Sequence, residues 1–231
     1  MVYGHGRRVH MIVLENLPQV AAAVGALGTA AFGLVDASKV FGGGVNHLGF
    51  TGIRGAIRQL TDAGEPVNAL SQKKIVATLE ANWMNGTQLG SQKAIAKSLI
   101  KLNLHPRNAA ALAEATGVDA GVLKIVATKI AEGTSLSSAE SDVFARFDLI
   151  VTALLDEAYQ RGDQFYRNWT RALAALVAVA LAVAGGRMLH PAVEWPLAVL
   201  VGLLATPLAP IAKDIATALA TAATTLQLVK K

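Results

Sequence analysis

The chain has no cysteine, and only 16% of its 231 residues are charged. Without cysteine there can be no disulfide framework, no thiolate metal site and no cysteine nucleophile. Soluble domains carry about 25% charged residues, whereas 53% of this chain is hydrophobic. The apolar excess lies in a few segments. This distribution favours a membrane protein with one soluble domain of moderate size over a single large globule.

Catalytic and ligand-binding signatures are also missing. Neither G-x-G-x-x-G nor G-x-x-x-x-G-K-[ST] occurs, and no strand pattern precedes the glycines at positions 42–44, so a phosphate loop is not predicted. The five histidines have no H-E-x-x-H spacing, and no serine lies in a G-x-S-x-G turn. We therefore expect no catalytic residue, no metal site, no cofactor and no enzymatic activity.

Two long uncharged runs near the C-terminus predict a membrane anchor within residues 161–231. Residues 172–186 and 195–212 contain no charge. Eighteen residues of helix span about 27 Å, close to the hydrocarbon thickness of a bilayer. Trp169 extends the first run, and Arg171 can place its guanidinium among the lipid headgroups. We predict two transmembrane helices here, followed by a C-terminal helix.

Residues 1–41 predict a further transmembrane helix. Arg7 and Arg8 precede an uncharged run over residues 19–35, a pattern shared by secretory signal peptides and membrane anchors; we favour the anchor. Small side chains recur in it at four-residue spacing and allow close helix packing in lipid, although the abundance of alanine and glycine in the chain would also produce such a row. The predicted helix-packing interface consists of Ala21, Gly25, Thr29 and Gly33.

Between these membrane segments the sequence predicts short helices. A glycine-rich hinge at residues 42–49 precedes a soluble helical domain over residues 50–160, and strand alternation is absent. One near-continuous helix is predicted from Ser138 to about Ala184. The expected fold is all-α, with about three transmembrane helices and a cytoplasmic bundle of short helices. Helix starts are expected at polar caps, namely Ser71, Ser91, Asp119 and the capping box of Ser137 with Glu140.

The distribution of lysine and arginine predicts the orientation in the membrane. Most basic residues near the predicted spans lie on the side of the middle domain and the C-terminus, and Arg7, Arg8 and Arg187 lie on the other side. The positive-inside rule then places the middle domain and the C-terminus in the cytoplasm. The net charge of +5 is better explained by membrane lipid than by nucleic acid.

Polar residues after the last apolar run allow two interpretations. Lys213 and Asp214 would each cost about 2.5–3.5 kcal/mol at the bilayer centre, which would indicate a conducting or proton-coupled role; we favour the membrane interface. Pro207 and Pro210 remove amide donors, so the helix is expected to kink or restart there. A pore-facing or interfacial polar stripe would contain Thr206, Lys213, Asp214 and Thr217.

Residues 110–130 have the alanine, turn-glycine and apolar spacing of a helix-turn-helix. The second helix would begin at Asp119 and continue with Ala120, Gly121 and Val122. None of these side chains can read base edges, which requires Arg, Asn, Gln or Lys at the exposed start. Nucleic acid is therefore not an expected partner.

Three groups of residues resemble an uncharacterised group of bacterial inner-membrane proteins. The resemblance covers about half of the chain. It implies a location in the bacterial inner membrane and brings no activity or site residue with it. The groups run from Ala81 to Gly86 and from Gln92 to Leu99; from Phe147 to Asp148, followed by Tyr166, Arg167 and Thr170 before a span; and from Pro207 to Asp214.

These features predict a membrane-anchored assembly, docking or accessory subunit without enzymatic activity. Its expected partners are membrane lipid and either further copies of itself, in a homo-oligomer, or other subunits of a membrane complex. The absence of a catalytic constellation and the row of small residues favour this function. A homo-oligomeric channel or transporter is the alternative, and a membrane-tethered DNA-binding regulator is the third hypothesis.

Overall fold

The structure is a computed structural model that describes residues 5–38, 43–61, 70–189 and 191–229. Side chains before Val20 and, apart from Asp214, after Ile211 lie outside the described part. Within these limits the chain forms eight helices and no strand, so the all-α prediction is confirmed. The helices are α1 (His5–Ala37), α2 (Asn46–Gln59), α3 (Gln72–Met84), α4 (Leu89–Asn103), α5 (Ala109–Thr116), α6 (Ala120–Glu132), α7 (Ser138–Met188) and α8 (Trp195–Val229).

The chain divides into two compact units. The helical domain comprises Gly43–Arg167, and the three-helix unit comprises Met1–Gly42 with Asn168–Lys231. The helical domain therefore contains α2 to α6 and the first part of α7. The three-helix unit contains α1, α8 and the remainder of α7.

Capping hydrogen bonds define the helix starts in the helical domain. The Ser71 hydroxyl accepts a backbone N–H of α3 at 3.3 Å, and the Asp119 carboxylate accepts one from α6 at 2.8 Å. The Ser137 backbone N–H donates to Glu140 Oε2 at 2.7 Å, and the Glu140 N–H donates back to the Ser137 hydroxyl at 3.4 Å. These predicted caps are confirmed. The start predicted at Ser91 is wrong by two residues, because α4 begins at Leu89. The Gln92 backbone N–H donates to the Gln88 carbonyl, which places Ser91 inside the first turn.

An aromatic cluster around Trp83 forms part of the core of the helical domain. The Trp83 ring centroid lies 6.5 Å from that of Phe50 and 6.4 Å from those of Tyr159 and Tyr166. The indole N–H donates to the Asn46 carbonyl at 2.9 Å. Tyr159 is fully buried, and burial raises the pKa of its phenol above the ordinary value. The cluster packs α2, α3 and α7 together.

Lysines of α4 form ion pairs with carboxylates of α7. Lys97 Nζ lies 3.2 Å from Asp148 Oδ2, and Lys101 Nζ lies 2.9 Å from Asp148 Oδ1. Lys93, one helical turn before Lys97, pairs with Asp156, which lies about two turns after Asp148. The hydrogen bond from Lys101 and a second from Lys97 lower the pKa of Asp148, against the opposing effect of burial. Asp148 is therefore bound more strongly as a carboxylate than as an acid.

Acidification is expected to remove this contribution. Because the folded-state pKa of Asp148 lies below its ordinary value of 3.8, the stabilisation is complete above that value and is lost as pH falls through the folded pKa. We expect Asp148→Asn to cost about 1 kcal/mol at pH 7 and to flatten the dependence of the melting temperature on pH below 4. Asp142→Asn, an exposed change on the same helix, should keep the wild-type profile when both are followed by circular dichroism.

The three-helix unit packs through small residues. Its fully buried centre brings one alanine from each helix together, at Ala31, Ala178 and Ala205. A Cβ atom on Gly28 would lie 2.0 Å from the Ala205 carbonyl oxygen, and one on Gly202 would lie 2.4 Å from Val179 Cα. Backbone therefore meets backbone at two glycines, a close approach that any side chain would prevent.

The face that α1 packs within the three-helix unit contains part of the predicted row. Gly25 is buried and Ala21 half-buried, whereas Thr29 and Gly33 are exposed. The Thr29 hydroxyl donates to the Gly25 carbonyl at 3.0 Å, so this hydroxyl has its hydrogen-bond partner within α1. Successive four-residue steps turn by about 40° around an α-helix, so such a row leaves the contact face. Residues spaced alternately by three and four positions stay on the contact face. This face contains Gly28, Ala31 and Val35.

Two described helices contain a stretch long and apolar enough to cross a bilayer, Val20–Ala37 in α1 and a stretch within α7. The described apolar part of α8, Trp195–Ile211, is shorter. Helix α8 continues through Pro207 and Pro210 to Val229. A restart at the prolines is therefore not observed, because each proline removes one amide donor and leaves the other helical hydrogen bonds in place.

Candidate functional site

An open groove between α2 and α7, here called the α2–α7 groove, is one of the cavities of the helical domain. Its two parts have volumes of about 360 Å³ and about 390 Å³ and share Gly52 and Arg161 in their lining. Apolar side chains and helical backbone provide much of its surface. Its lining includes Leu48, Gly52, Gly55, Leu154, Arg161 and Phe165.

The α2 wall of the groove is open because glycine recurs there every three residues. A Cβ on Gly49 would lie 2.8 Å from the Trp83 ring, so that glycine faces the core. A Cβ on Gly52 or Gly55 would meet no atom within 4 Å. Neither has a positive φ, so neither is required by the backbone conformation of α2. These two glycines leave helical backbone accessible at the surface.

The α7 wall carries apolar side chains and one pair of opposite charges. Phe165 is 46% exposed, and Leu154, about three helical turns earlier on α7, also lines the groove. Arg161 Nη2 lies 3.0 Å from Glu157 Oε1, and both side chains are more than half exposed. An exposed pair of this i,i+4 type contributes only about 0.3–0.5 kcal/mol. It can therefore be exchanged for other ion pairs at little cost.

A second groove, here called the basic groove, lies between α2 and α3. It has a volume of about 480 Å³, and its lining includes Arg54, Arg58, Lys73 and Glu80. The Glu80 carboxylate is already engaged by Arg54 Nη2 at 2.6 Å and by His47 Nδ1 at 3.1 Å. Among the described residues, no carboxylate lies within ion-pair distance of Arg58 or Lys73. The groove therefore carries excess positive charge.

Metal-binding geometry is not observed in the described part of the chain. No group of three or more His, Asp or Glu side chains there could hold a metal ion. The two histidines whose side chains are described have local contacts. His47 lies beside Glu80, and His105 Nδ1 accepts the Arg107 backbone N–H at 3.2 Å.

The predicted polar stripe of α8 is only partly within the described residues. The Thr206 hydroxyl is buried and has no hydrogen-bond partner among them, and Asp214 is exposed. The side chains of Lys213 and Thr217 lie outside the described part. The interpretation of this stripe as a pore or an interface stays a prediction.

Helices α5 and α6 have the order of a helix-turn-helix. Helix α5 ends at Gly117, whose φ of 67° closes the turn, and Asp119 caps α6. The exposed first turn of α6 presents Ala120 and Gly121. Neither residue has a side chain that can hydrogen-bond to a base edge, so the exposed first turn of α6 has no side chain for reading bases.

Comparison of the chain with known protein families, with characterised proteins and with solved structures finds no match. The resemblance to bacterial inner-membrane proteins therefore stays a prediction. Several residues that carry it have structural roles in this fold: Trp83 and Phe147 are buried in the core, and Asp148 pairs with α4.

Sequence reasoning did not identify either groove. A signal for the α2–α7 groove was nevertheless present, since Gly52 and Gly55 lie three positions apart in a segment predicted to be helical. Each glycine within a helix costs about 0.5–1 kcal/mol relative to alanine. The basic groove had no local signal, because Arg58 and Lys73 are brought together only when α2 packs on α3.

Proposed function

We propose that the chain is a membrane-anchored assembly subunit without enzymatic activity, and that the α2–α7 groove docks against a second copy of the same chain. The bilayer is the inner membrane of a bacterium, with the helical domain and the C-terminus in the cytoplasm. This function combines an anchor of apolar helices with a compact domain that exposes an open groove.

The apolar helices support the membrane part of this proposal. Val20–Ala37 and part of α7 are long and apolar enough to cross a bilayer. In the sequence, residues 195–212 at the start of α8 also contain no charge, and about eighteen helical residues match the hydrocarbon thickness. Trp169, at the start of the α7 run, suits the membrane interface. We propose three spans on this basis.

The two open glycines of α2 carry the docking part of the proposal. Gly52 and Gly55 lower the stability of α2, yet they have neither a positive φ nor a crowding neighbour among the described residues. A close approach by another backbone is the remaining physical reason for glycine inside a helix. The length and openness of the groove suit a helix as the approaching element.

Charge complementarity favours a second copy as the occupant. A two-fold interface places the same surface patch of both copies together, so each residue meets a different residue of the partner. Glu157 and Arg161 have opposite charges one helical turn apart on the rim of the groove. Under a two-fold axis, each can pair with the opposite charge on the other copy.

Filling the groove is expected to abolish the dimer. We expect Gly52→Leu and Gly55→Leu to convert the dimer to monomer, because the new side chains would occupy the space of the approaching helix. The fold should be unaffected, since no atom lies within 4 Å of either Cβ position. The measurement is native mass spectrometry of the full chain in a mild neutral detergent. Gly90→Leu, at an equally open position on α4, is the matched control and should remain dimeric.

Charge reversal tests the two-fold arrangement separately. Glu157→Arg or Arg161→Glu alone should weaken the dimer about three- to tenfold, and the double reversal should restore it, since complementarity between copies returns. Failure of the double variant to restore it would argue against a two-fold contact at these residues. Foreign subunits retained in place of a second copy, or a monomer in the wild type, would overturn the proposed occupant.

A further inference from the structure

We infer that the basic groove between α2 and α3 binds a phosphate group. The inference rests on the cluster formed by Arg58, Lys73 and Arg54 around a cavity of about 480 Å³. It is independent of the docking function proposed for the α2–α7 groove, which lies on another face of α2.

The positive charges that line the groove outnumber its described negative charge. Glu80 is its one described carboxylate, and the contacts with Arg54 and His47 occupy the same oxygen, Oε1. Arg54 is held in place by that pair and by the Phe50 ring, 5.5 Å from its guanidinium carbon. Arg58 and Lys73 are both exposed and line the cavity without a described carboxylate partner. An anion entering the groove would meet two cations that no described carboxylate pairs with.

The backbone around these cations is fixed by a side-chain bridge. The Gln72 amide donates to the Arg58 carbonyl at 3.1 Å and to the Thr61 carbonyl at 2.8 Å. This bridge ties the end of α2 to the start of α3. The backbones of Arg58 and Lys73 are therefore held on neighbouring helices, and both residues line one cavity.

A phosphate is the anion that suits this arrangement. Arginine presents a planar fork that matches two phosphate oxygens, and lysine adds a compact charge with rotatable donors. The tetrahedral oxygens of a phosphate can meet both cations from different directions, whereas the two oxygens of a carboxylate lie in one plane. The cavity is also large enough for a headgroup-sized substituent. The shared chemistry is a phosphate oxyanion, either free or in a lipid headgroup.

Thermal unfolding of the full chain in neutral detergent tests the inference. Inorganic phosphate should raise the melting temperature with a saturable concentration dependence, because a ligand that binds the folded state stabilises it. Sodium chloride at matched ionic strength should not. We expect Arg58→Gln or Lys73→Gln to weaken the apparent affinity about three- to fivefold each, and the pair together about tenfold or more.

The controls separate binding from a general salt effect. Lys124→Gln removes one exposed positive charge from α6 and should retain the wild-type response. A general stabilisation by phosphate as a solute would persist undiminished in the Arg58→Gln, Lys73→Gln double variant. That result, or a wild-type response equal to that of sodium chloride, would overturn the inference.

A second arm distinguishes the two sources of phosphate. The melting temperature is followed in two separate titrations, one with short-chain phosphatidylglycerol and one with short-chain phosphatidylcholine. Phosphatidylcholine has the same phosphate with a compensating cation. Saturation by phosphatidylglycerol at lower concentration than by inorganic phosphate, with loss in the double variant, would assign the groove to an anionic lipid headgroup. Tighter binding of inorganic phosphate would assign it to a soluble phosphate compound. Equal responses to both lipids, and none to inorganic phosphate, would exclude the site.

Discussion

Replacing Gly28 by valine is expected to separate α1 from α8. A Cβ atom at this position would lie 2.0 Å from the Ala205 carbonyl oxygen and 2.6 Å from its carbon. Both atoms belong to backbone, so rotation of a side chain cannot relieve the contact. In a bilayer, helix association depends on van der Waals packing, and that packing is lost when the helices move apart. We expect a loss of about 3 kcal/mol or more from the three-helix unit.

The separation of α1 from α8 can be measured by disulfide cross-linking, because the chain has no cysteine of its own. Cysteines introduced at Ala31 and Ala205, which pack together in the buried centre, should form a disulfide readily in an otherwise cysteine-free chain. Adding Gly28→Val should slow the cross-linking at least about tenfold. Gly33→Val is the matched control on the same helix, because its Cβ would meet no atom within 4 Å. Equal cross-linking in both variants would contradict the observed packing face.

Local features of the fold could be predicted from the sequence because they depend on few neighbouring residues. The cap at Ser71 needs only its own hydroxyl and a nearby backbone amide, and the capping box needs only Ser137 and Glu140. The long helix α7 follows from a run of mostly helix-forming residues without proline. Prediction succeeded where residues within about four positions of each other decide the outcome.

Features that depend on packing between helices could not be predicted in the same way. The row from Ala21 to Gly33 and the observed face through Gly28 both consist of small residues, and composition does not distinguish them. The partner backbone at Ala205 decides which row makes contact, and it is far away in the sequence. The same limit applies to Arg58 and Lys73, which lie on different helices and line one cavity.

Glycine shows this limit most clearly. Within α2, Gly49 faces the core and Gly52 and Gly55 face open space, although all three occupy similar helical positions. The sequence gives each the same intrinsic cost of about 0.5–1 kcal/mol. The packing of α3 and α7 on α2 determines which glycine is needed for folding and which faces open space. Substitutions should therefore separate the two roles.

Gly162→Ala is expected to destabilise the helical domain. Its Cβ would lie 2.8 Å from the Gly49 carbonyl oxygen, and a Cβ on Gly49 would lie 3.0 Å from the Gly162 carbonyl oxygen. The two glycines thus form a reciprocal crossing of α2 and α7. Overpacking of this kind costs about 1–3 kcal/mol, which exceeds the gain of about 0.5–1 kcal/mol from placing alanine in a helix. We expect a net loss of about 2 kcal/mol.

Gly55→Ala, on α2, is expected to have the opposite effect on the stability of the helical domain. Its Cβ would meet no atom within 4 Å, so the helical preference of alanine acts alone and should stabilise the fold by about 0.5–1 kcal/mol. Thermal unfolding by circular dichroism should therefore lower the melting temperature for Gly162→Ala and raise it for Gly55→Ala. If both changes moved it upward, the close crossing of α2 and α7 would be refuted. The α2–α7 groove would then lose the wall on which docking depends.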